Sequence, residues 1–285
     1  MEHFPISSLI CEEDQSPLYA TDNDDDDVTD HKETKHEDEY IEILVSRESI
    51  LDTIHSSITS AWLKWARSDS VQWIMKTRVS FSFSYQTAYL ALTYYDRFLT
   101  HRSIESDKYW AFRLLSIACL SLAAKMEECF VPMLSEYQTE DFGFESKTIQ
   151  RMELLILSTL DWRMNLVTPF AYLSHFTAKL ETDIKAEEIV SKSTGFILGI
   201  INDINLVEHR PSTIAAAAVL AAYNQRLNKQ PVEPKLSIFS SCATLEPEHV
   251  LSCYTMMIEG SRYCSGVGDK YFSTASNKRR RLKST

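Results

Sequence analysis

Between Ala111 and Ala124 the chain reads AFRLLSIACLSLAA, a stretch whose spacing predicts a helix with apolar side chains on nearly every side. A helix of that kind is surrounded by other helices, so this one is expected to be the axis of a bundle. Pro132 stops it from continuing beyond Phe130 and Val131. Working outward, a period of 3.6 predicts helices over about 47 to 65, 68 to 79, 84 to 100, 108 to 128, 133 to 139 and 146 to 160, with a similar series after Pro169. Only 6 Gly and 8 Pro interrupt the 285 residues, which agrees with a helical chain. The expected fold class is all-α.

The ends differ in charge from the middle. Residues 12–39 hold thirteen Asp and Glu against Lys32 and Lys35, a net of -11 that equals the net charge of the whole chain. A run such as Asp22 to Asp27 has almost no apolar surface to offset the entropy of ordering, so this tail is expected to stay disordered. At the other end Lys278, Arg279, Arg280, Arg281 and Lys283 form a basic cluster that suits nuclear import. About 225 residues lie between the tails, enough for one large domain or two of about 100 each. Ahead of the acidic run, Leu9, Cys11 and Glu13 spell L-x-C-x-E. In an extended segment residues two apart face one side, so these three would present a single edge to a groove on another protein.

Several function classes are excluded by what the chain lacks. The longest wholly apolar run, Ile214 to Tyr223, is ten residues and falls short of the 18 or more of a membrane span. No basic and apolar signal segment opens the chain, so no membrane partner is expected. Six scattered cysteines without a C-x-x-C pair, and no N-x-S/T sequon, read as an intracellular chain with free thiols and no metal. Residues 40–277 are net -4, once Glu2 and the two tails are set aside, so a nucleic-acid partner is not expected. No G-x-G-x-x-G, Walker loop, H-E-x-x-H or G-x-S-x-G occurs, so neither an enzyme nor a cofactor is implied.

Four ionisable residues fall on otherwise apolar stripes. Arg67 lies in register with Val71 and Ile74, and Asp96 with Tyr85, Tyr89, Leu92 and Leu99. A buried unpaired charge is very costly, so these two are expected to meet as a hydrogen-bonded pair. Lys125 continues the stripe of Ala118 and Leu122, where a charge also complements the C-terminal dipole of its helix. Glu153 continues the stripe of Ile149, Ile156 and Leu160, and a carboxylate there waits for donors from its own chain or another's.

The stretch SLAAKMEECFVPML, with YYDRFL before it and FESKTIQRMELLILSTLDWRMNLVTPF after it, resembles the cyclin box of D-type cyclins, in wording close to plant members. The likeness is dense from about Arg67 to Phe176 and continues more thinly to PSTIAAAAVLAA; an L-x-C-x-E string near the N-terminus is a further trait of that family. The resemblance implies two five-helix cyclin-fold bundles flanked by disordered tails: an acidic tail over 1–39, a cyclin box over 40–165, a second cyclin fold over 166–264 and a basic tail over 265–285.

By the same resemblance the chain is a regulatory subunit without catalytic residues. It would bind and activate a cyclin-dependent kinase, direct it to a retinoblastoma-type pocket protein at the G1/S transition, and meet kinase inhibitor proteins. Lys125 and Glu153 match the family's pair that grips the kinase, and Leu122, Met126, Trp162 and Met164 match the apolar surface around it. Arg67 and Asp96 match a buried structural pair, and Leu9, Cys11 and Glu13 match the pocket-protein motif. The resemblance places such a chain in the nucleus and cytoplasm. Asp69 and Ser70 depart from the pattern: many cyclins carry apolar residues there and form a groove for R-x-L peptides, and polar residues weaken that groove. The competing reading is a cyclin-fold scaffold or transcription-related cyclin without a G1/S role.

Overall fold

A computed structural model describes residues 29–48, 61–105, 108–137, 142–180, 184–203, 209–226 and 245–264. The chain divides into two compact units at Glu37 and Asp38. Of the first, only Thr29 to Glu37 is described, as the opening turns of α1 (Thr29–Glu48). Among the described residues there are nine α-helices and no strand, the all-α class expected.

The first bundle comprises α2 (Ala61–Phe81), α3 (Tyr85–His101), α4 (Tyr109–Glu127), a 3-10 turn (Leu134–Glu136) and α5 (Ser146–Thr159). Every residue from Phe112 to Ala124 is buried, which makes α4 the axis that its uniform hydrophobicity predicts. By length and composition α4 could also cross a membrane, which a count of unbroken apolar runs overlooks; here 72% of it is buried inside the protein. The second bundle holds α6 (Phe170–Ala178), α7 (Ala186–Gly199), α8 (Pro211–Arg226) and α9 (Pro247–Cys264). Its axis is α8, buried without a break from Ile214 to Tyr223 and opened by Pro211, whose fixed φ suits a first helical position.

Three expectations change. Residues 29–39, assigned to a disordered tail by charge, lie within the helix α1. The helix expected over about 47 to 65 is divided, its start ending α1 and its close opening α2, while residues 49–60 lie outside the described ones. Of the helix expected over about 133 to 139, residues 133–137 hold one 3-10 turn, because so short a segment closes too few hydrogen bonds to offset nucleation, and residues 138 and 139 lie outside the described ones.

Polar contacts fasten the helices where apolar packing alone would let them slide. Arg67 donates from Nε to Asp96 Oδ1 at 2.8 Å and from Nη2 to Oδ2 at 2.9 Å, so α2 and α3 are joined by a bidentate pair. Its Nη1 reaches the carbonyls of Ile201, at 3.1 Å, and Asn202, at 3.3 Å, just beyond α7. Burial alone would favour the neutral guanidine, but the Asp96 carboxylate outweighs it and holds the guanidinium pKa above its ordinary range. The pair expected from the stripes is present, and it also reaches the second bundle.

At the end of α1, Ile41 and Leu44 enter the core of the second bundle, and the buried Glu48 carboxylate accepts the Ser212 N–H and hydroxyl, each at 2.7 Å. Ser212 is the second residue of α8, so the carboxylate sits on the donors and positive dipole of a helix N-terminus. Burial raises the Glu48 pKa, and the Ser212 bonds oppose that rise.

Replacing Asp96 by Ala leaves the Arg67 guanidinium buried with only two carbonyls. Asp96→Ala is expected to cost about 3 to 5 kcal/mol of stability, read as a lowered urea midpoint and melting temperature. An unchanged midpoint would show that the pair does not hold the bundles.

Candidate functional site

The end of α4 and the outer side of α5 come together at one ion pair. Lys125 stands in the last turn of α4, where its charge complements the dipole, and Nζ donates to Glu153 Oε1 at 2.6 Å and Oε2 at 2.8 Å. The two ends of the pair differ in exposure: the Lys125 side chain is 43% exposed and that of Glu153 only 8%. Glu153 has found its donor within its own chain, and the half-exposed ammonium leaves room for further acceptors from outside.

The four apolar residues that the resemblance singled out differ in exposure: Met126, next to Lys125 in the chain, is 49% exposed and Trp162 is 66% exposed, whereas Leu122 and Met164 are buried in the core of the first bundle. Asp161 and Trp162 both have positive φ, 52° and 59°, a conformation that costs about 1 to 2 kcal/mol for a residue with a side chain. The strained turn closes α5 with a bond from the Trp162 N–H to the Leu157 carbonyl at 2.9 Å, in the manner of a helix C-cap. The segment after it is tied down, because the Tyr94 hydroxyl donates to the Met164 carbonyl at 2.5 Å and Arg97 to that of Arg163 at 3.1 Å. Strain held in place by its surroundings presents the indole to solvent.

The family description Cyclin, N-terminal domain, matches residues 37–165, and Cyclin, C-terminal domain, matches residues 167–277. The chain belongs to the cyclin family. It is 38% identical over 275 residues to Cyclin-D5-1 of Arabidopsis thaliana, covering 89% of this chain and 83% of that one. It is 43% identical to Cyclin-D1-1 of the same plant, over 67% of this chain and 58% of that one. Among solved structures, the viral cyclin from herpesvirus saimiri superposes with a TM-score of 0.62 at 18% identity, over 78% of this chain and 99% of that one. A chain of the yeast TFIIK complex (Kin28/Ccl1/Tfb3) gives 0.53 at 12% identity, over 68% of this chain and 85% of that one. These two likenesses show the fold.

The cyclin's departure at Asp69 and Ser70 takes a form that spacing did not reveal. Ser70 is buried and its hydroxyl donates to the Ala66 carbonyl at 2.9 Å, so it adds no polarity to the surface. Asp69 Oδ2 accepts the Tyr109 hydroxyl at 2.6 Å and Arg113 Nη2 at 2.8 Å, with the Arg113 guanidinium 5.5 Å from the Trp73 ring. A polar lock joins α2 to α4 where an apolar groove was the family expectation. Leu9, Cys11, Glu13 and Lys278 to Arg281 lie outside the described residues.

Sequence reasoning missed the loop after α4. Phe130, Val131 and Met133 are exposed there, and no periodicity marks them because the loop has none. The only signal was the run of apolar residues flanking Pro132.

The positive φ at Trp162 gives a direct test of the strained turn. Trp162→Gly removes a mostly exposed side chain and the steric cost together, and is expected to leave stability unchanged or raise it by up to about 1 kcal/mol in chemical denaturation. A loss of more than about 1 kcal/mol would make the indole a structural prop.

Proposed function

We propose that this cyclin is the regulatory subunit of a cyclin-dependent kinase and directs it to a retinoblastoma-type pocket protein to promote the G1/S transition. The observation that supports the reading is the Lys125 and Glu153 pair, formed between the end of α4 and α5, with Met126 and Trp162 exposed. In an inactive kinase the C-helix is displaced and the Lys-Glu pair that positions the ATP phosphates is broken. A surface that packs only against the inward position of that helix shifts the equilibrium by its differential affinity for the two positions. Lys125 would offer N–H donors to carbonyls at the end of the kinase helix, and Glu153 would accept donors there. Because the pair is formed beforehand, little ordering entropy is left to lose on binding.

Lys125→Ala or Glu153→Ala is expected to leave the helical circular dichroism signal intact and weaken kinase binding by about 2 to 5 kcal/mol, since each leaves partner groups buried without a counterpart. Undiminished capture of the kinase by both variants sinks the role given to the pair, whereas no capture by the wild-type chain favours a scaffold without a kinase.

Leu9 and Cys11 fill apolar pockets of the pocket protein while Glu13 meets donors, and the acidic residues that follow are drawn to a basic rim. The basic cluster Lys278 to Arg281 carries the complex into the nucleus, with the remainder in the cytoplasm. Kinase inhibitor proteins would meet the assembled complex. A short flexible peptide loses entropy on docking, so micromolar to submicromolar affinity is expected, about 8 to 10 kcal/mol. Tethering then raises the effective concentration of substrate at the kinase. A Cys11→Gly, Glu13→Lys variant is expected to keep kinase binding and activity on a histone substrate while losing binding and rapid phosphorylation of the pocket protein. Wild-type phosphorylation by that variant would make the motif a chance match.

A further inference from the structure

The loop from Glu128 to Met133 holds large apolar side chains in water on a backbone that is fixed at both ends. Phe130 is 90% exposed, Met133 is 75% exposed, and Val131 lies between them. At the near end the Glu128 N–H closes α4 on the Ala124 carbonyl at 2.9 Å, and its carboxylate accepts the Ser84 N–H at 2.7 Å together with the Thr87 hydroxyl. At the far end the Met133 N–H is held by Glu136 at 2.7 Å, and Pro132 stiffens the residue between. An exposed Phe on a fastened loop forfeits the stabilisation that its burial would bring and gains nothing from flexibility.

The loop is continuous with the kinase-binding face. It leaves α4 three residues after Lys125 and ends in the 3-10 turn, which packs on α5. Tyr137, which follows the turn, is buried in the same core as Ile149, Met152 and Ile156 of α5, so the turn is anchored on the helix that carries Glu153. Met126, Phe130, Val131 and Met133 therefore extend the exposed apolar surface from the ion pair along the loop.

Resting on the kinase-binding reading, we infer that Phe130 and Met133 are a second anchor for the same kinase, seated in an apolar depression beside the helix that Lys125 and Glu153 hold. The ion pair fixes the register of the kinase helix, and the loop supplies apolar contact area that decides how long the complex lasts. Such anchors are aromatic or flexible apolar groups, stand next to charged pairs and act mainly on dissociation.

The test uses the full chain and a purified cyclin-dependent kinase, with association and dissociation measured on an immobilised complex. Phe130→Ser, Met133→Ser is expected to bind about tenfold to a hundredfold more weakly, through faster dissociation, with an unchanged melting temperature. Combined with Glu153→Ala, the losses should multiply, as for two separate contacts on one partner. Trp110→Ser, which removes an exposed aromatic at the other end of α4, should change nothing. Wild-type affinity of the loop variant, while Glu153→Ala still weakens binding, overturns this inference and leaves the kinase reading standing. Equal losses in the loop variant and in Trp110→Ser overturn it as general stickiness. A wild-type dimer in sedimentation equilibrium that the loop variant dissolves assigns the patch to a second copy instead. If the wild-type chain binds no kinase at all, both readings fall.

Discussion

One buried guanidinium holds the architecture. Arg67 spends two nitrogens on Asp96 and one on the carbonyls of Ile201 and Asn202, so a single side chain fixes α2 against α3 and both against the segment leaving α7. Arg67 and Asp96 are both buried, and the bundle they join has Val71, Ile74, Leu92 and Ile201 in one core. That arrangement is costly to form, since each ion loses its water, and costly to break, since one partner is then left alone. What it contributes is direction. Two bundles built around nearly featureless apolar axes, Phe112 to Ala124 and Ile214 to Tyr223, have many packings of similar energy, and a bidentate pair with two carbonyl contacts selects one of them.

Glu48 does the same work for α1 and α8. Ile41 and Leu44 bring apolar area to the second bundle, and the carboxylate on Ser212 fixes where along the groove that area is buried. Glu128 repeats the device between α4 and α3, a carboxylate that accepts the N–H of the N-cap residue Ser84 and the hydroxyl of Thr87. The Glu48 and Glu128 contacts each lie at the start of a helix, where unpaired backbone groups make a charged partner worth its desolvation.

The axes and the Arg67 and Asp96 pair were legible from periodicity because burial leaves a record in residue type: apolar on all sides for α4, one charge on an apolar stripe for the pair. The Lys125 and Glu153 pair was half legible. The stripe identified Glu153 as a carboxylate in need of donors, but only the fold shows that Lys125, one helix away, supplies them. The onset of α1 at Thr29 was not legible, since a charge count treats residues 29–39 as solvent-seeking and is blind to an anchor several residues further on at Ile41. The Asp69, Tyr109 and Arg113 lock escaped for a different reason. Spacing within α2 marks Asp69 as polar, and its partners come from α4 forty and more residues later. The positive φ at Trp162 leaves no trace in residue type, because tryptophan is not a residue that such backbone favours.

Rigidity is what the site and the fold have in common. A chain that acts on a partner by binding it does so through the shape and charge it presents, and the free energy it delivers is reduced by whatever ordering it must undergo on contact. In this cyclin that cost is met in advance: Lys125 is already seated on Glu153, the turn carrying Trp162 is held by Tyr94 and Arg97, and the α4 loop is fastened by Glu128 and Glu136. The αL strain at Asp161 and Trp162 belongs to the same account, because a relaxed turn would turn the indole elsewhere. The polar contacts are therefore connected to the exposed surface by mechanics: Arg67 and Asp96 hold α3 against α2, and Glu128 fastens the end of α4 to the start of α3. A surface whose supporting helices cannot shift presents its shape and charge in a single arrangement.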